Sequence, residues 1–202
     1  MHKHRIFLAT GLAASLALGL AFARPRAPES RKETAAAELV VDPVHSSAWF
    51  RIKHANASWS TGAFNTLAGS VVWDAAAPEK SSVSITIDVG SVDTNNAQRD
   101  EHLRSPDFFD AKQFPTATFK STKVVKKDKA LAVTGDFTLH GVTKSITADV
   151  EHVGTGKGPQ GGEVTGFSAK VTLQRSEFGI KTYPGMLGEE VTLLVDLECA
   201  KK

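Results

Sequence analysis

The sequence predicts an all-β domain of about eight antiparallel strands, and three observations carry that prediction. Apolar and polar residues alternate strictly along several runs, as in Val83–Val89, where all seven positions obey the pattern. After residue 23 no stretch shows a helical period of ten or more residues, so no crossover helix is there to make neighbouring strands parallel. Clustered breakers, such as those between Gly154 and Gly162, fall between the alternating runs.

Length and composition fit this class. A chain of 202 residues suits one domain. A hydrophobic fraction of 41% is too high for a disordered chain, and 16 Gly with 8 Pro are too few for a collagen-like one. One Cys excludes a disulfide framework and any Cys-rich metal module.

The elements follow in order. Residues 1–23 have a basic start (Lys3, Arg5), an apolar run from Ile6 to Phe22 and a small-x-small ending at Ala21-Phe22-Ala23. That is the plan of a cleaved secretory signal, and it predicts a periplasmic protein. Removing the signal leaves 22 bases against 22 acids, so the formal charge of +2 belongs to the signal. A neutral domain without a Lys/Arg block offers no electrostatic footprint for nucleic acid. Residues 24–38, broken by Pro25 and Pro28, read as a flexible leader with a nascent helix through Lys32–Glu38. The domain is expected over 39–202.

The first strand, Ser46–His54, carries Phe50 and Ile52 on one face, and Leu67–Trp73 carries Val71 and Trp73. In the third, Val83, Ile85 and Ile87 share a face. Ala117–Val125 contributes Phe119, and Lys129–Leu139 contributes Phe137 and Leu139. Ser145–Val153 is the sixth. Phe167–Leu173 turns Phe167, Val171 and Leu173 to one side, and Val191–Cys199 does the same with Val191, Leu193 and Val195. These sixteen side chains are the expected interior. The Gly-rich stretch Val153–Glu163 reads as a hairpin tip, since no Gly-Lys-Ser/Thr ending or helix follows it to bind phosphate. Between strands three and four, Asn95 or Asn96 can cap a short helix over Ala97–Arg104. Ser105-Pro106 starts a further turn through Phe109.

Eight such strands make a sandwich or a closed barrel. Strands of seven to nine residues would give a barrel walls roughly 23–30 Å long and an interior suited to one slim apolar ligand.

Several strings are more specific. Asp42-Pro43-Val44-His45-Ser46-Ser47 precedes Phe50-Arg51-Ile52-Lys53-His54, and Thr61-Gly62-Ala63-Phe64 precedes Gly69-Ser70-Val71-Val72-Trp73-Asp74. Arg99-Asp100-Glu101-His102-Leu103-Arg104-Ser105-Pro106-Asp107-Phe108-Phe109-Asp110 runs into Phe114-Pro115. Gly135-Asp136-Phe137-Thr138-Leu139-His140-Gly141-Val142-Thr143-Lys144 and Arg175-Ser176-Glu177-Phe178-Gly179-Ile180 complete the series. From about Val40 to the C-terminus the chain resembles the YceI-like family of exported lipid-binding proteins. It departs modestly, with Leu67 where an aromatic is frequent and Glu177 for a frequent Asp. The resemblance implies a lipocalin-like, extended eight-stranded antiparallel β-barrel whose pore takes a polyisoprenoid, an isoprenoid quinone or an isoprenyl phosphate. It implies a bound lipid in place of a cofactor, transient membrane contact and, for some members, an inner-membrane b-type cytochrome as partner.

No catalytic residue transfers, and the sequence offers none. His45, His54, His102, His140 and His152 form no paired ligand spacing for a metal. No Gly-x-Ser-x-Gly elbow occurs, and Cys199, without a partner, reads as structural or vestigial. Asp100, Glu101, Asp107 and Asp110 lie beside Arg99 and Arg104 and read as an ion-paired cap. A polar head group at a barrel mouth would meet Arg99, His102 and Arg104 on the cap, or Arg175 and Lys181 before the last strand. The expected protein is a lipid carrier without covalent chemistry. An exported interaction module with a filled barrel, or an enzyme acting on a lipid head group, is the alternative.

Overall fold

The computed structural model describes residues 36–201. Its strands are β1 (Ala37–Val41), β2 (Ser47–His54), β3 (Ser58–Phe64), β4 (Leu67–Trp73), β5 (Ser82–Asp88) and β6 (Val92–Asp93). After helix α1 (Ala97–Arg104) come β7 (Thr116–Lys126), β8 (Leu131–Leu139), β9 (Val142–Lys157), β10 (Glu163–Gln174) and β11 (Leu187–Lys201).

The sheet runs β1-β4-β5-β7-β8-β9-β10-β11 and returns through β1–β11 pairs such as Leu39↔Lys201 and Val41↔Cys199. That closes a ring of eight antiparallel strands, which leaves the main sheet without a free edge. The other three strands extend it. β2 follows β1 along β11, β3 lies on β2, and β6 lies on β3. The barrel therefore has eight walls, three of them built from a broken strand: β1 with β2, β3 with β4, and β5 with β6. Backbone bonds bridge the breaks. Asp42 N–H donates to Glu198 O at 2.8 Å, Asn65 N–H to Ser91 O at 3.1 Å, and Asp88 N–H to Thr66 O at 2.9 Å.

Each of the eight expected strands is one of these walls, but the walls run further than the sequence suggests. β1, β3 and β6 were not expected. The leader with its helix through Lys32–Glu38 is corrected where it can be seen: Ala37 and Glu38 are strand. Leu39 and Val41 are each 3% exposed, so this strand is held by the core it faces. The signal and the rest of the leader lie outside the described residues. β9 also continues through Gly154 and Gly156, which pair with Gly166 and Val164, so the hairpin tip shrinks to Gly158–Gly162.

One end of the barrel carries the His54–Ser58 turn, α1 and the segment from Arg175 to Met186; it is called the cap end here. The other carries the two ends of the described chain. Two glycines let aromatic rings lie across the walls between them. A Cβ on Gly62 would come within 2.4 Å of Phe50 Cζ, and one on Gly135 within 2.6 Å of Phe119 Cζ. Cys199 is fully buried in the closing seam, and burial pushes its thiol up to about 11.

Candidate functional site

Alternation along closed walls sends one face of every strand inward, and here the inward side chains do not fill the space. Among the described residues, two cavities stand out. The larger, about 440 Å³, lies toward the cap end; the smaller, about 130 Å³, lies toward the chain ends. All sixteen expected interior residues border them. Phe50, Ile52, Leu139, Leu173 and Val191 wall the cap-end chamber. Val71, Trp73, Val83, Ile85, Phe119, Phe167 and Val171 wall the other. Ile87, Phe137, Leu193 and Val195 border both, together with Ala117, so the chambers adjoin at a waist. Only Ser81, Ser82 and Thr118 interrupt the apolar wall of the smaller chamber.

Polar groups gather at the cap end. Asn96 caps α1 by accepting from Arg99 N–H at 2.9 Å, which fixes the helix start. The buried Asp100 carboxylate accepts Thr94 N–H at 2.8 Å and the Thr94 hydroxyl. Arg99 in turn donates through Nε to Thr94 Oγ1 at 2.7 Å and through Nη2 to Thr94 O at 2.6 Å. The expected ion-paired cap is thus corrected. Arg99 and Arg104 bond to Thr94 and to a backbone carbonyl, and the acid of this segment that meets a basic side chain, among the described residues, is Asp107, hydrogen-bonded to His102 Nε2 at 3.0 Å. Below it Phe109 packs on Phe64 (5.6 Å) and Phe50 (6.4 Å), closing part of the chamber with rings.

The five head-group candidates separate. Arg99 and His102 border the cap-end chamber. Arg104 does not; its guanidinium is turned to Val92 O at 3.3 Å. Lys181 is exposed and also stands off the chamber wall. Arg175 is in the wall but buried, and it donates to Gly188 O (2.9 Å), Ile180 O (3.0 Å), Thr182 O (2.8 Å) and Leu187 O (3.3 Å). A fork with its donors so engaged clamps its own loop, so Arg175 as a head-group ligand is corrected to a structural role.

Comparison with known proteins matches this architecture. A family model described as "YceI-like domain" covers residues 39–199. The chain belongs to the YceI-like family. It is 39% identical to Protein YceI of Escherichia coli O157:H7 over 181 residues, which is 90% of this chain and 95% of that one. The crystal structure of Campylobacter jejuni YCEI protein superposes with a TM-score of 0.67 at 35% identity, covering 74% of this chain and 90% of that one. A polyisoprenoid binding domain from Saccharophagus degradans shares the fold, with a TM-score of 0.62 at 17% identity over 83% of this chain and 99% of that one.

Two of the YceI-like strings meet at the cap end, and their residues are supports. His140, at φ 51°, donates Nδ1–H to Phe178 O at 3.0 Å and lies edge-on to Phe114 at 4.8 Å. Gly141, at φ +72°, has Phe114 Cε1 within 2.5 Å of where a Cβ would stand. Thr94, Leu103, Phe108, Tyr183 and Met186, none of them singled out from the sequence, also border the cap-end chamber. The Phe108-Phe109 doublet in a polar segment was the one available signal. His54 borders the same chamber, whereas His152 stacks on Trp73 (4.9 Å) and Phe167 (5.4 Å) at the other end.

His45 pairs with Asp42 at 2.9 Å, and their hydrogen bond raises His45 above its ordinary 6.5 and lowers Asp42 below its ordinary 3.8. The raised His45 favours the fold below about pH 6.5 and loses that contribution as pH rises through its folded value. The lowered Asp42 favours it above about pH 3.8 and loses it on acidification. Both groups are at the surface, so salt weakens the effect. In an NMR titration Asp42→Asn is expected to bring the His45 pKa down; an unchanged value would mean that the pair does not form in solution.

Proposed function

We propose that the barrel binds a polyisoprenoid or similar long-chain lipid, such as an isoprenoid quinone, and carries or sequesters it in the periplasm without covalent chemistry. The observation that carries this reading is the pair of adjoining apolar chambers, about 440 and 130 Å³, along the barrel. A filled barrel would leave no such space, which disfavours a purely structural module. The tail lies along the two chambers, and the head group stays at the cap end beside Arg99 and His102. Burial of about ten methylene equivalents at ~0.8 kcal/mol each, less the cost of ordering a flexible tail, gives reversible binding. The export-signal pattern in residues 1–23 supports the compartment. A b-type cytochrome of the inner membrane is the partner this reading expects when the cargo is a quinone.

Protein purified without detergent is expected to release one prenyl lipid class into organic solvent, identified by mass spectrometry. An empty extract, together with no uptake of added prenyl lipids, would sink the proposal.

A further inference from the structure

Most exposed apolar side chains in a soluble domain are scattered and need no explanation. Here Val40, Val44, Val125 and Val153 are of that scattered kind, but the exposed aromatic side chains share one side of the barrel. Among the described residues, the exposed aromatic side chains are Trp49, Trp59 and Tyr183. Trp59 and Tyr183 flank the cap end, and Met186, 52% exposed, stands with them. The β2–β3 turn and the Tyr183–Met186 turn are tied together, Ala55 N–H donating to Met186 O at 2.6 Å and Met186 N–H to Tyr183 O at 3.2 Å. Trp59 is paired with Lys53 across β2 and β3. Further down the same wall Trp49 faces Leu194, itself 37% exposed, across β2 and β11.

The charge against the Trp59 ring is positive. Arg51 Cζ lies 4.1 Å from the Trp59 ring centroid and Lys53 Nζ lies 6.0 Å from it. Lys181 is exposed two residues before Tyr183. Of the nearby acids, Glu189 accepts Ser176 N–H at 2.8 Å and Asp107 is paired with His102, while Glu190 on this stretch of β11 and Glu101 on α1 are exposed. Tyr183 and Met186 also border the cap-end chamber, so this patch lies at one edge of that chamber's mouth. Trp and Tyr backed by Lys and Arg are the side chains that settle at the level of phospholipid head groups.

We propose that the cap-end rim, with Trp59, Tyr183 and Met186 as its apolar contacts and Arg51, Lys53 and Lys181 as its cations, docks onto a bilayer containing anionic phospholipid. The chamber then faces the membrane from which an apolar tail would have to come, and the tail passes between bilayer and barrel with little exposure to water. This orientation rests on the carrier reading, but docking itself is measured without reference to cargo.

The test is co-sedimentation of the purified protein with vesicles of phosphatidylethanolamine and phosphatidylglycerol (3:1) and with vesicles of phosphatidylcholine. Partition is expected onto the anionic vesicles and is expected to weaken in high salt. Arg51→Gln with Lys53→Gln is expected to lower it about 30-fold, at about 1 kcal/mol per cation. Trp59→Ser is expected to lower it about tenfold through lost apolar contact. Both variants should keep the lipid content of the barrel, since none of the three residues lines a chamber. Absence of partition, or variants that bind vesicles as the parent does, would overturn the proposal. So would a dimer in sedimentation velocity that Trp59→Ser dissociates, because the rim would then be covered by a second copy. A barrel that yields no lipid yet still docks would remove the carrier reading and leave the docking surface.

Discussion

Replacing Arg175 by Ala is expected to destabilise the barrel by about 4 kcal/mol, one of the two largest effects anticipated for a single substitution. The guanidinium donates to the carbonyls of Ile180, Thr182, Leu187 and Gly188, and so holds the return segment from Arg175 into β11 over the cap-end chamber. An unsatisfied buried carbonyl costs about 1–3 kcal/mol, and partial hydration through the loosened loop reduces the total. For a domain of this size the melting temperature should fall by about 8–16 °C. Arg175→Lys should recover little, because one ammonium cannot span four carbonyls set around a planar fork. Thermal and chemical denaturation followed by circular dichroism read the loss directly. A change below about 1 kcal/mol would mean that the four carbonyls have other partners, and the clamp would have to be abandoned.

Ala117→Phe is expected to separate the two chambers and so convert a long-tail site into a short-tail one. Ala117 is 4% exposed, stands opposite Ile87 across β5 and β7, and borders both cavities. A ring there projects into the waist at an overpacking cost of about 1–3 kcal/mol. A tail confined to the cap-end chamber forgoes about five methylene equivalents, ~4 kcal/mol at ~0.8 kcal/mol each, or about a thousandfold in affinity. A short-tailed analogue should lose far less. Val195→Phe, entering from β11, should act in the same direction and guards against a local folding defect at Ala117. Displacement of a fluorescent lipid by analogues of increasing tail length makes the comparison. Equal losses for short and long tails, or none for either, would refute a ligand that lies through the waist.

The sequence revealed the inward face better than the extent of the walls. Val83–Asp88, Phe167–Leu173 and Val191–Cys199 alternate because each has a dry side and a wet side, and alternation is a local property that a single chain displays. β1 was illegible for the opposite reason. Ala37-Glu38-Leu39-Val40-Val41 follows Ala-rich, charged residues that favour helix, and it becomes strand by pairing with β4 and with β11, more than 150 residues away. Ser58–Phe64 hid because its inward position at Gly62 has no side chain to mark the period. In the candidate site, Arg99 and His102 were readable as polar groups near a mouth. The engagement of Arg175 with carbonyls was not readable, because its acceptors are backbone atoms that composition cannot announce. The same holds for Thr94, an unremarkable residue until Asp100 and Arg99 converge on it.

The seam where β1 meets β11 sets an order on how this fold can arise. Leu39 and Val41 find their partners at Lys201 and Cys199, so the ring cannot shut until nearly the whole domain has been synthesised. The hairpins between successive walls are local and can form early, but the last contact joins residues at the greatest sequence separation the domain contains. Loop-closure entropy is paid before that contact returns anything, which places such a topology among the slower-folding ones, in the millisecond-to-second range.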